Sequence, residues 1–300
     1  MEVSALRHQS LLVSTFGQPG RQAGTQDEYF FVEVENSTAV GMLFDHGCDA
    51  ISSMLVGLQF VRLIQADSLE TTFYALVFLI MIPNFLIIWT QYGIGAFHFD
   101  VINPIDEGLP CYQLMGILGY FLDYSFWRKQ HIITSYNYEF LLGFWIMAMV
   151  LLGKTTKNVL KDTKRSRADL LATLGLPLVL IGLVAAVKLS GLGAYVYGEH
   201  FYAFFYTVAL YWGRNEIYMQ VCSVANQKFN AFNWSTLFFI GTLILPIALP
   251  TIRSHLSTHL YICLAIQALF LGETIFSFLN QAASILNIKL FHVNPPPKTA

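Results

Sequence analysis

The chain has 300 residues, of which 55% are hydrophobic and only 12% are charged, and its mean hydropathy is +0.53. Soluble proteins carry about 25% charged residues, so this composition excludes an ordinary soluble domain and predicts an all-α polytopic membrane bundle. A formal net charge of −2 at pH 7 also argues against a nucleic acid partner, which would require a basic surface.

The first segment, 1–36, is polar and irregular, with glycines and a proline at 17–24 that are typical of a loop. No apolar core follows a basic start, so we expect no cleavable signal. We expect this segment to be unstructured or weakly docked. The rest of the chain reads as a membrane domain over 37–290 and a C-terminal tail over 291–300.

A short motif, Gly-Met-Leu-Phe-Asp-His-Gly-Cys-Asp at 41–49, opens the first apolar segment. On a helix, Gly41, Asp45 and Asp49 lie in one stripe, each about 40° from the next, and His46 is within reach of Asp49. Two acids on one face repel each other unless a cation lies between them, so the motif predicts a divalent-metal site at a membrane surface. The alternative is that both acids are solvated and complement the dipole of the helix N-terminus.

Eight apolar segments predict about eight transmembrane helices, several shorter than the ~20 residues of a straight span. We place them at 50–64 (continuous with the motif helix from 41), 72–90, 110–126, 139–153, 170–190, 197–212, 234–250 and 259–281. Pro246 and Pro250 should kink or end the seventh helix.

The distribution of Lys and Arg predicts which connections between these helices face the cytoplasm. If the motif is cytoplasmic, the connections on its side hold Lys154, Lys157, Lys161, Lys164, Arg165, Arg167, Arg214, Lys228, Lys289 and Lys298. The opposite connections hold Arg128, Lys129 and Arg253. This bias fits the positive-inside rule. We interpret the basic run 154–167 as a topology determinant that contacts lipid headgroups.

The connection after the second segment carries Tyr92, Asn103 and Glu107, and it returns the chain to the side of the acidic motif. An acid pair such as 106–107 is also typical of a solvated turn. The Arg-Asn-Glu sequence at 214–216 ends the sixth segment, and we interpret it as an interfacial ion pair.

Several motifs together resemble those of one enzyme family. The pattern Gly-x3-Asp-x3-Asp at 41–49 resembles the second half of the CDP-alcohol phosphotransferase signature, Asp-x2-Asp-Gly-x2-Ala-Arg-x8-Gly-x3-Asp-x3-Asp. The Phe-Asp-His-Gly-Cys-Asp block at 44–49 is similar to the choline/ethanolamine phosphotransferase branch. The stretches 89–95 and 103–108 are similar to that branch's Trp-Glu-Glu-Tyr-x2-Gly and Asn-Gly-Pro-x-Glu-Gly. The resemblance covers roughly 36–290.

The chain also departs from that pattern. The first half of the signature is absent, and Asp27, which has the right spacing, has the wrong neighbours. Trp-Glu-Glu-Tyr reads Trp-Thr-Gln-Tyr at 89–92. We therefore expect a shortened form that lacks the N-terminal part of the family, either a mis-spliced product or a natural short isoform.

The resemblance implies phospholipid synthesis, in which phosphocholine or phosphoethanolamine passes from CDP-choline or CDP-ethanolamine to diacylglycerol and CMP leaves. It implies Mg²⁺ or Mn²⁺ bound by Asp45 and Asp49, since these hard cations take carboxylate and phosphate oxygens. A metal-bound carboxylate is a poor base, so we expect His46 to be the catalytic base, with Asp49 as the second candidate.

The other site residues are expected to bind substrate. Gly41 leaves the backbone bare for the nucleotide, and Tyr92, Asn103 and Glu107 would hold the nucleotide or the cationic headgroup. An interfacial aromatic is the alternative for Tyr92. The resemblance further implies contact with membrane lipids, a homodimer, and an endoplasmic reticulum or Golgi membrane, with the active site facing the cytoplasm.

Two other interpretations remain open. The chain could be a catalytically inactive membrane protein of the same fold, because a two-cation site needs more than two carboxylates. A transporter is disfavoured, since the sequence shows no inverted repeat and no interrupted helix pair.

Overall fold

The computed structural model describes residues 39–66, 68–95 and 108–286, and within them the chain is a bundle of eight main helices. In chain order these are α1 (Ala39–Leu63), α2 (Leu69–Ile94), α3 (Gly108–Leu122), α4 (Tyr136–Asp162), α5 (Arg167–Leu189), α6 (Phe201–Val224), α7 (Trp234–Ala248) and α8 (Leu256–Leu286).

Each of the eight apolar segments corresponds to one of these helices, which confirms the all-α polytopic membrane bundle. Four helices, α2, α4, α5 and the 256–281 part of α8, are long and apolar enough to cross a membrane. Two shorter apolar helices are α7 and the 112–122 part of α3. The expected termini, 1–36 and 291–300, lie outside the described residues.

Local sequence explains several boundaries. The side chains of Ser68, Ser166 and Asn233 each accept a hydrogen bond from the backbone N–H three residues on, so they cap α2, α5 and α7. Helix α7 ends at Ala248, two residues after Pro246 and two before Pro250 begins the next short helix, in agreement with the prediction that the prolines kink or end it.

The two largest errors in the predicted boundaries both come from polar residues. Helix α4 extends nine residues past the predicted end at 153, so Lys154, Lys157 and Lys161 lie on the helix instead of in a connection. Helix α6 continues to Val224 instead of ending at 212, so Arg214 lies in its interior. A polar stretch continues a helix when its side chains find partners or solvent, and hydropathy alone does not register this.

Helix α6 is the centre of the bundle, with most of its side chains buried, and it packs against α1, α2 and α8. A Cβ added to Gly213 would lie 3.4 Å from the carbonyl oxygen of Ala50, and one added to Gly47 would lie 3.6 Å from Ile217. Because higher numbers on α6 meet lower numbers on α1, the two helices run antiparallel. The motif-bearing start of α1 therefore lies beside the second half of α6.

The contact between α1 and α2 depends on Gly57. A Cβ there would lie 2.7 Å from Cγ1 of Ile80 and 3.1 Å from Cδ2 of Leu76, both on α2. We expect Gly57→Ala to lower the free energy of unfolding by about 1–3 kcal/mol, because overpacking outweighs the better helix propensity of alanine. Denaturant unfolding in detergent micelles measures this change.

Gly143 on α4 provides the control, since a Cβ there meets nothing within 4 Å. Gly143→Ala should be neutral or stabilise by up to about 1 kcal/mol. If the two alanine variants had equal stability, the packing role of Gly57 would be excluded.

Candidate functional site

The acidic motif lies on one uninterrupted helix. Helix α1 begins at Ala39, so Asp45 and Asp49 are one turn apart on it, with about 6 Å of axial rise between them. The side chain of Asp49 is half-buried. The surroundings of Gly41 and the side chains of Asp45 and His46 lie outside what the structure describes, and the predicted roles of these residues stay predictions.

Of the predicted substrate-binding residues after the second segment, the structure describes only Tyr92. Asn103 and Glu107 lie outside the described residues. Tyr92 lies in the last turn of α2, where it is 1% exposed and its hydroxyl oxygen accepts a hydrogen bond from the backbone N–H of Phe229 at 2.9 Å. In this position Tyr92 braces the end of α2 against the chain after α6, and its binding of substrate stays a prediction.

Arg165 joins the ends of two helices, α2 and α6, a role that the sequence interpretation missed. Its guanidinium donates to the carbonyl oxygens of Tyr92 (3.2 Å), Gln227 (2.8 Å) and Cys222 (3.2 Å). It also lies 4.3 Å from the centre of the Tyr92 ring, at cation–π distance. Placing a cation at C-terminal carbonyls is favourable because their partial charge is negative. We refer to these contacts of Arg165 as the arginine clamp.

The prediction of an interfacial ion pair at 214–216 is wrong. Arg214 donates to Thr274 of α8 at 3.1 Å and to Asn233 at 3.0 Å, and Asn233 donates to Asn215 at 3.0 Å. The carboxyl group of Glu216 takes no part in these hydrogen bonds. These residues therefore tie α6 to α7 and α8 through hydrogen bonds that need no Arg–Glu pair.

The carboxyl group of Glu216 faces the opposite side of α6. One of its oxygens accepts a hydrogen bond from the indole N–H of Trp212 at 2.6 Å. Trp212 in turn packs against Phe85 of α2, with 6.0 Å between ring centroids. Glu216 is 0% exposed and lies one position before Ile217, which contacts the motif glycine Gly47. An acid is thus buried beside the motif helix.

The donor set at the motif fits part of a divalent-metal site. Two carboxylates one turn apart on a helix can share hard-cation coordination. Among the side chains that the structure describes, no group of three or more His, Cys, Asp or Glu residues could hold a metal ion. An ion bound at the motif would take its other ligands from substrate phosphates, from water or from residues outside that set.

A cleft of about 600 Å³ lies at the other end of α6, lined by residues that include Glu199, His200, Arg253 and His255. His200 and Asn215 are separated by about 22 Å along the helix axis. This cleft is therefore remote from the motif.

Two curated proteins resemble the chain, whereas no protein-family model matches it. The chain is 26% identical over 100 residues to an uncharacterized CDP-alcohol phosphatidyltransferase class-I family protein 3 of Dictyostelium discoideum, covering 33% of this chain and 25% of that protein. It is 27% identical over 104 residues to cholinephosphotransferase 1 of Danio rerio, covering 35% and 27%. The matched stretch spans about a quarter of either relative's length, and it supports the resemblance drawn from the motifs.

Proposed function

We propose that the chain is a membrane-embedded CDP-alcohol phosphotransferase that transfers phosphocholine or phosphoethanolamine from the CDP-alcohol to diacylglycerol. In this reaction the acceptor hydroxyl oxygen bonds to the phosphorus of the phospho-alcohol group, and CMP leaves. The observation that carries the proposal is the motif Asp45-x3-Asp49 on the continuous helix α1. The similarity to the two curated proteins supports it.

Each motif residue has a proposed role. Asp45 and Asp49 would hold Mg²⁺ or Mn²⁺, and the bound ion would supply positive charge to offset that of the pyrophosphate. His46 removes the proton of the acceptor hydroxyl, since an imidazole titrates near cytoplasmic pH, and Asp49 is the second candidate for this role. Gly41 leaves room for the nucleotide.

The location of the motif suits the two substrates. Diacylglycerol presents its hydroxyl at the membrane surface, and the soluble CDP-alcohol arrives from the cytoplasm. Tyr92, Asn103 and Glu107 are proposed to hold the nucleotide or the headgroup. A homodimer in the endoplasmic reticulum or Golgi membrane, with the motif facing the cytoplasm, completes the proposal.

A second candidate is a catalytically inactive membrane protein of the same fold. The missing first half of the signature favours it, because two carboxylates alone make an incomplete cage for two cations.

A transferase assay separates the two candidates. Purified protein is incubated with labelled CDP-choline or CDP-ethanolamine, diacylglycerol and Mg²⁺. We expect labelled phospholipid and an equal amount of CMP, both abolished by a chelator and restored by Mg²⁺ or Mn²⁺. Folded protein that forms no lipid product with either CDP-alcohol would exclude the transferase and leave the inactive protein.

A further inference from the structure

Three buried oxygen atoms near the motif helix have no hydrogen-bond partner among the described residues. They are the second carboxyl oxygen of Glu216 and the amide oxygens of Gln220 and Gln91, in side chains that are 0%, 2% and 4% exposed. A buried acceptor without a donor destabilises the fold, and a charged acceptor does so more strongly. Such a group therefore calls for a physical explanation.

The contacts place all three side chains at the seam where α1, α2 and α6 meet. Glu216 and Gln220 are one turn apart on α6, on neighbouring parts of its surface. The hydroxyl of Ser223, three residues after Gln220, donates to the backbone carbonyl of Gln91 at 3.1 Å. Gln91 therefore lies beside the same turn of α6.

The seam is next to the acidic motif. Asn84 of α2 donates to Ser53 of α1 at 2.8 Å, and the helices run antiparallel, so Gln91 lies at the level of 46 on α1. Ile217, adjacent to Glu216, contacts Gly47. The orphaned oxygens thus lie within about one helical turn of the motif.

Two arginines that lie on or against this half of α6 are engaged elsewhere. Arg214 points to Thr274 and Asn233, and the Arg165 guanidinium is held by three carbonyl oxygens. The seam therefore offers one carboxyl group and two amide oxygens to a partner that the described residues do not supply.

We propose that this seam binds the primary ammonium group of the transferred amino alcohol, so that the chain prefers CDP-ethanolamine to CDP-choline. This inference rests on the proposed function. A primary ammonium carries one positive charge, which matches the carboxyl group of Glu216, and three N–H donors, which match its free oxygen and the two amide oxygens. A quaternary ammonium has no N–H donor and would leave all three oxygens unpaired. A divalent ion would meet only one carboxylate here.

Equilibrium binding of labelled CDP-ethanolamine and CDP-choline to the purified full-length chain, in nanodiscs with Mg²⁺, tests the proposal. We expect CDP-ethanolamine to bind at least tenfold more tightly, because a site built for hydrogen bonding discriminates strongly against a ligand that lacks the donors. Glu216→Gln, which keeps the acceptor for Trp212 but removes the charge, should reduce this preference to below threefold. CMP should bind both proteins equally.

Glu199→Gln is the matched control, because it makes the same exchange at an exposed site in the remote cleft and should keep the preference. Gln220→Leu is a second variant that removes one acceptor without touching the acid, and it should also reduce the preference. The proposal is overturned if CDP-choline binds as tightly as CDP-ethanolamine, if neither binds, or if Glu216→Gln keeps the wild-type preference.

The outcomes for the two proposals can be told apart. Preferential binding of CDP-ethanolamine without lipid product would overturn the transferase and leave the ammonium site standing. Equal binding and transfer of both CDP-alcohols would support the transferase and overturn the ammonium site.

Discussion

Asp49→Asn is expected to reduce phospholipid formation by at least about 100-fold. The amide has nearly the same shape as the carboxylate, so the fold should persist, but the negative charge that attracts the divalent cation is lost. Loss of one strong electrostatic contact to the reacting group typically costs about 3 kcal/mol of transition-state stabilisation. Release of CMP from CDP-ethanolamine at saturating diacylglycerol measures the effect.

The affinity for Mn²⁺ provides a second measurement on the same variant. We expect Asp49→Asn to bind Mn²⁺ more weakly than the wild type, as measured by electron paramagnetic resonance of free Mn²⁺, whether or not the protein is active. Asp162→Asn is the control, since Asp162 is exposed at the end of α4 and should affect neither readout. Wild-type Mn²⁺ binding by Asp49→Asn would remove Asp49 from the metal site.

Arg165→Ala is expected to lower the free energy of unfolding by about 3–5 kcal/mol. The change removes three charge-assisted hydrogen bonds and one cation–π contact, and it takes the guanidinium donor from the carbonyls of Tyr92, Cys222 and Gln227. Unfolding in detergent, followed by circular dichroism across a denaturant series, measures the loss.

Arg167→Ala provides a close comparison, because Arg167 is exposed and lies two residues further along the chain. It should change stability by less than about 0.5 kcal/mol. Arg165→Lys should fall between the two, since an ammonium keeps the charge but cannot reach three separate carbonyls in the fork geometry of a guanidinium. Equal stability of Arg165→Ala and Arg167→Ala would show that the clamp is unimportant.

The helices could be predicted from the sequence because apolar runs of 15 residues or more have few stable alternatives in a membrane. Pro246 and Pro250 marked the end of α7 in the same local way. These signals lie within a few residues of the feature that they determine.

The boundaries of α6 could not be predicted, because they depend on partners far along the chain. Arg214 reads as the start of a loop until Thr274, sixty residues later, is placed beside it. The same holds for Glu216, which reads as half of an ion pair but bonds to Trp212. Hydropathy measures transfer from water, whereas a buried network is stabilised by its own hydrogen bonds.

The candidate site likewise combines features that are local in sequence with contacts between distant residues. The spacing of Asp45 and Asp49 is a local property, and the helix that it requires is present. The arginine clamp could not be predicted, because Arg165 lies in a run of basic residues that the sequence does not distinguish. Of these, Arg165 is set apart by lying opposite the last carbonyls of two helices, and no pattern in the run itself marks it.

The length of α4 has a consequence for where that clamp works. Its 27 residues rise about 40 Å, roughly 10 Å more than the hydrocarbon thickness of a bilayer. An upright helix of this length must protrude, and the lysine-bearing end is the one suited to water. Arg165 follows that end by three residues, so we expect the clamp to lie in the headgroup zone, where ionic strength and lipid charge would both change its strength.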